Sequence, residues 1–217
     1  MNPALIELII LAGIAVFLFL RLRSVLGTRE GFEKPRMQPK NDAPKRDFKV
    51  IDGGEDKDIT DNVEKNSKSA KALKTIKEKD ETFTVNEFLS GARSAYEWIL
   101  MSFEKNAIDD IRELLSEEVA EAFDSVVEQR ISQGLTIEAE FIGVREMKLV
   151  DASYNSKTNT AEIAVSFIGE MTSVVKNSSG EIIEGDSKQI KRQKDTWTFS
   201  KDIQSSNPNW LLVATGE

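Results

Sequence analysis

The 217-residue sequence contains no cysteine and no histidine. Their absence removes any disulfide framework, thiol chemistry, zinc sites built on Cys or His, and both Ser-His-Asp and Cys-His catalysis. A cysteine-free chain is compatible with a reducing compartment without requiring one. Tyrosine is scarce, with Tyr96 and Tyr154 only. A basic surplus is missing as well: 29 Lys and Arg stand against 37 Asp and Glu, a net charge of −8. Nucleic acid is therefore a poor partner, because phosphate binding needs a basic surface. The composition describes one folded domain with appendages, working without classical side-chain catalysis, and calls for no cofactor and no metal.

The charge is spread unevenly. Residues 1–27 and 28–82 each carry a net +1, whereas residues 83–217 carry −10. The front end holds a long apolar run, Pro3 to Leu20, interrupted only by Glu7. Roughly 20 apolar residues span a bilayer core, so the run is just long enough for a transmembrane anchor. A cleaved signal peptide would carry positive charge before the run and small residues after it. Here Arg21, Arg23 and Arg29 follow the run instead. By the positive-inside rule these arginines form a membrane flank that keeps the C-terminal side in the cytoplasm. The expectation is a single-pass protein with residues 1–27 as anchor and flank.

Residues 28–82 are polar, with Pro35, Pro39, Pro44 and the Gly53-Gly54 pair. Such a composition predicts a flexible charged linker with at most local helix. Within it Lys65, Lys68, Lys71, Lys74 and Lys77 recur at every third position. On a helix this step wraps the lysines around the axis and leaves a narrow apolar seam at Ala70, Leu73 and Ile76. A helix lying on anionic lipid is one reading, and a solvated lead-in that adds nothing to the core is the other.

Residues 83–217 predict one α+β domain. From Val85 to Phe103 the apolar positions follow the i, i+3, i+4, i+7 helical pattern, with Thr84 and Glu87 in capping-box spacing. A short helix at 108–115 and a third from Ser116 to Gly134 follow. The period then changes to two at Leu135, Ile137, Ala139 and Phe141, a half-buried strand. Further strands are predicted at about 144–153, 160–176, 187–203 and 209–215, with a turn at Asn177–Gly180. Helices first and strands afterwards gives three helices packed on one face of a curved antiparallel sheet.

This order resembles the cone-shaped fold of nuclear transport factor two and ketosteroid isomerase. Narrower motifs are IILAGIAVFLFLRLRSVLGTREGFE, then FLSGARSAYEWILMSFEKNAIDDIRELLSEEVAEAF, then KDTWTFSKDI and SSNPNWLLVAT. Together they resemble bacterial, membrane-anchored members of the family that contains the C-terminal domain of mitochondrial inner-membrane translocase subunit 44, the peripheral anchor of the presequence-import motor. The resemblance implies a place at the inner membrane, contact with membrane lipids, and partners among membrane or translocation proteins.

In the strand Lys194–Phe199, positions 195, 197 and 199 share one face. Trp197 and Phe199 are the inward pair, and with Phe167 and Trp210 they are candidates to line a ligand or lipid cavity; packed core is the plainer reading. Asp195 would share the inward side. With Tyr96 or Tyr154 it could serve as an acid/base group, as in the isomerase branch, or it could bond its surroundings structurally. Glu117, Glu118 and Glu121 suit the start of a helix rather than a metal. Two functions follow as expectations: a membrane-tethered, non-enzymatic binding or adaptor module linked to protein translocation or membrane-protein assembly, or an isomerase or dehydratase using Asp195.

Overall fold

The computed structural model describes residues 56–216, which all fall in a compact unit beginning at Gly54. The expected anchor, the flank at Arg21, Arg23 and Arg29, and the first part of the linker lie outside the described residues. Among the described residues no helix is long and apolar enough to cross a membrane.

Among the described residues four α-helices precede the sheet: α1 (Lys57–Thr60), α2 (Lys68–Lys79), α3 (Val85–Glu104) and α4 (Glu117–Ser132). Four antiparallel strands follow, β1 (Thr136–Asn155), β2 (Thr160–Lys176), β3 (Ile182–Asp202) and β4 (Leu211–Gly216), in the spatial order β1-β2-β3-β4. The architecture is therefore α+β. Helix α3 begins where its capping box predicts, with the Thr84 hydroxyl accepting from the Glu87 amide. It buries Val85, Phe88, Leu89, Ala92, Tyr96, Ile99 and Leu100 along one stripe. Ser116 caps α4 in the same way, and Gly134 follows it at φ 66°, a conformation that glycine adopts without strain.

The expected helix at 108–115 is instead two 3-10 turns, Ile108–Asp110 and Arg112–Leu114. Ile108 and Ile111 are both buried, and a three-residue spacing on one face suits a three-residue turn. Leu115 then leaves the helical path to bridge Leu212 of β4. The strands expected at 135–141 and 144–153 are one strand, β1, bent by irregularities at Phe141/Gly143, Val144/Glu146 and Leu149/Asp151. β3 also starts earlier than expected and is broken by a large bulge. Met171 pairs with Lys191 and Ser173 with Asp186, so Thr172 alone faces Ser187–Ile190.

The largest departure from the sequence reading concerns residues 57–79, expected to add no core. Ile59, Leu73 and Ile76 are buried in the same cluster as α3 and β2. The seam at Ala70, Leu73 and Ile76 is narrow but meets the bent edge of β1. There Ser69 Oγ donates to Asp151 Oδ1 at 2.7 Å and accepts from the Ala152 amide at 3.2 Å. Asp58 fastens the segment to α3 by accepting from the Val85 amide at 2.8 Å and the Asn86 amide at 3.0 Å. Those amides belong to the first turn of α3, which has no intrahelical partner for them. Lys77 joins Asp56 at 2.6 Å and Asp58 at 3.0 Å. The lysine-rich stretch is thus a docked helix, and its apolar seam faces protein rather than lipid.

Candidate functional site

Strand period places Asp195, Trp197 and Phe199 on the inward face of β3, and all three are buried. β2 sets Phe167 opposite Asp195 and Val165 opposite Trp197. Helix α3 crosses above and drives Tyr96 into the gap. Its ring stacks on Phe167, with centroids 4.4 Å apart and planes at 10°, and tilts against Trp197 at 4.7 Å. Gly169 makes room for it: a Cβ there would stand 2.6 Å from the Tyr96 hydroxyl oxygen.

At the centre of this packing Tyr96 donates its O–H to Asp195 Oδ2 at 2.5 Å. The other oxygen, Oδ1, accepts from Gln193 Nε2 at 3.0 Å. Burial first, and then the neighbouring carboxylate, push the Tyr96 hydroxyl well above its ordinary value of 10.0. Tyr96 is therefore a fixed neutral donor at physiological pH. Tyr154 is elsewhere, bonded to Asn159 at the β1–β2 turn.

The four residues expected to line a cavity belong to filled space. Phe167, Trp197 and Phe199 are core, and Trp210 packs against that core. Phe88 meets Phe199 edge-on at 6.0 Å and Trp210 at 4.8 Å, and Phe83 also touches Trp210. The cavity expectation is corrected accordingly. Strand period shows which side chains point inward but not whether a helix fills the space before them, so from sequence both packed core, the plainer reading, and a cavity wall stayed open. Two surface depressions among the described residues are not bordered by these four: one is lined by Glu146, Lys148, Leu149, Val150, Ser166, Ile168 and Lys194, the other by Lys191–Asp195.

Beside this region Arg130 of α4 lies over the Phe103 ring at 4.3 Å, donates to the Phe103 carbonyl at 3.0 Å and stands 3.7 Å from Glu104. Burial raises the Glu104 carboxyl and lowers the Arg130 guanidinium, and their mutual attraction only partly offsets it. Sequence reasoning named Asp195 and Tyr96 but missed Gln193 and Gly169. A glycine interrupting the alternation of β2 was the one local signal available. Glu117 and Glu118 occupy the first turn of α4, as their helix-start reading had it.

Comparison with known proteins turns on the same span of chain. A family model described as the Tim44-like domain matches residues 69–217. The chain belongs to this family. The match begins at Ser69, inside α2, so the Tim44-like domain includes the docked lead-in helix. Nothing matches among curated proteins. Among solved structures, the intermembrane-space region of the chloroplast protein ARC6 matches at 9% identity, covering 66% of this chain and 94% of that one, with a TM-score of 0.38.

Proposed function

We propose that this chain is a non-enzymatic binding or adaptor module, tethered to the bacterial inner membrane by residues 1–27 with its Tim44-like domain in the cytoplasm. It serves protein translocation or membrane-protein assembly and contacts membrane lipid. The observation that carries the reading is the filled interior. Tyr96, Phe167, Trp197 and Phe199 occupy the space where a cone-shaped enzyme would hold a substrate, which leaves the outer surfaces for recognition. Membership of the Tim44-like family supports the link to translocation. The apolar run at 3–20 with its trailing arginines supports the tether and its direction.

Crosslinking of the full chain in mild detergent, followed by identification of the attached proteins, tests the reading. Membrane or translocation proteins attached to the Tim44-like domain are expected; a domain that captures none would sink it. A reporter active only in the translocated compartment, fused at residue 217, should stay silent.

One contact favours the alternative, an isomerase or dehydratase: the Tyr96–Asp195 hydrogen bond. Proton abstraction needs a carboxylate oxygen within reach of substrate, but Oδ2 is taken by Tyr96 and Oδ1 by Gln193. Isomerisation of a β,γ-unsaturated ketone by the purified protein, abolished in Asp195→Asn with the melting temperature retained, would establish the enzyme instead.

A further inference from the structure

β3 changes character at Thr196. From Thr196 to Ser200 it is paired on both sides, by β2 and by β4. From Lys191 to Lys194 it pairs with β2, and among the described residues no strand pairs with its other edge. All four side chains are exposed, and the surface is hollowed there. The window is bounded at one end by the bulge Ser187–Ile190 and at the other by Gly216, the last residue of β4, which pairs with Thr196. A segment entering it would continue the line of β4.

Charge identifies the occupant. Arg145, Lys148, Arg192 and Lys194 gather on the outward face of the sheet with only Glu146 and Glu170 among them. Glu170 already holds Arg192 at 2.9 Å and Arg145 at 3.4 Å, and Glu146 holds Lys148 at 2.6 Å. Two positive charges are left over there, in a domain whose overall charge is strongly negative; Lys191, at the edge, is matched by Glu184 at 3.8 Å and adds none. Lysines on an open edge discourage indiscriminate strand pairing. They also weigh against a second copy of this chain: a two-fold antiparallel copy laid on 191–194 would set Lys191 opposite Lys194, and like charges directly opposite are destabilising. An acidic strand meets the opposite condition. In strand addition the backbone supplies hydrogen bonds and alternate side chains supply specificity, so acids at every second position would lie beside Arg192 and Lys194.

We propose that Lys191–Lys194 is a strand-addition site for a short, extended acidic segment of a partner polypeptide, laid against β3 in line with β4. This rests on the reading of the chain as a binding module and names the chemistry of its partner.

The probe is a synthetic peptide of alternating glutamate and valine, offered to the full chain in mild detergent. Two versions are methylated on alternate backbone amides, one on each edge of the extended peptide. An added strand uses only one of its edges, so one methylated version should bind like the parent and the other should not bind. Hydrogen exchange at 191–194 should slow on binding. A lysine–valine peptide, or the variant Lys191→Glu/Lys194→Glu with the glutamate peptide, should bind roughly tenfold or more weakly. Equal binding of both methylated peptides, no binding of the parent, or affinity unchanged in the variant would overturn the site. So would a dimer whose 191–194 amides are already protected without peptide, which would assign the edge to a second copy. Partner crosslinks that spare β3 would likewise overturn the site while leaving the binding-module reading intact. A Tim44-like domain that captures no partner at all would remove that reading itself.

Discussion

The segment 57–79 and helix α3 do the same structural job with very different sequence signatures. α3 carries a broad apolar stripe, a capping box of its own and seven large or small apolar residues buried along it. The segment before it is mostly polar, and α2 sends only Leu73 and Ile76 fully inward. Yet the two are interlocked, because the first turn of α3 takes part of its capping from Asp58. α2 in turn covers the bent edge of β1 through Ser69. A helix with a thin seam becomes part of a core when its polar groups find fixed partners on the surface it meets.

The strongest way to break that equivalence is to remove the segment. A fragment beginning at residue 80 should lose cooperative unfolding, or melt far below a fragment beginning at residue 56. It leaves α3 without Asp58 and bares the core where Leu73 and Ile76 sat. Equal melting of the two fragments by circular dichroism would restore the view of a detachable tether. Next in size, Leu73→Ala should cost as much as Leu89→Ala in α3, about 2–5 kcal/mol each in denaturant titrations. A Leu73 loss under about 1 kcal/mol would mean that the segment docks only loosely.

Within α3, Tyr96→Phe should cost about 1.5–3 kcal/mol, the range for a hydrogen bond to a charged group. The pH dependence has a definite sign. The folded protein holds the hydroxyl proton above the ordinary value of 10.0, so this stabilisation is complete below pH 10 and is lost as pH rises beyond it. The gap between wild type and variant should therefore be flat through neutrality and narrow only in alkali. The smallest effect is expected from Asp58→Ala, about 1 kcal/mol as for other helix caps. Although burial opposes it, hydrogen bonds from Val85, Lys77 and Asn86 hold the Asp58 carboxyl below its ordinary 3.8. That stabilisation is present above pH 3.8 and fades as acid protonates the folded carboxyl, so this gap should close at low pH. A gap that instead widened in acid would contradict the capping role.

Much of the domain was legible because its signals are local. The extent of α3, its start at Thr84 and the whole of β2 follow from period and capping within a single element. So does the inward face shared by Asp195, Trp197 and Phe199. The docking of α2 was not legible, since five lysines at three-residue steps hide a narrow seam, Ala70, Leu73 and Ile76, whose value depends on the surface opposite. Nor was the role of Asp58, whose partners lie 27 and 28 residues away. At the site, Asp195 and Tyr96 could be named as the available acid and phenol. Their contact, and the Gly169 that permits it, depend on where α3 crosses β2.

The sequence by itself determined the α+β order of the domain, its acidic charge, the exclusion of cysteine and histidine chemistry, and the inward or outward sense of most strand residues. These follow from composition and from the two backbone periods, which act over a few residues. Only the tertiary structure decided that the inner face is filled, that the domain begins ahead of α3, and that β3 has an open basic edge beyond the reach of β4. Each of these depends on how far one element extends along another, and that distance is set by bulges, crossing positions and shared polar contacts between residues remote in the chain.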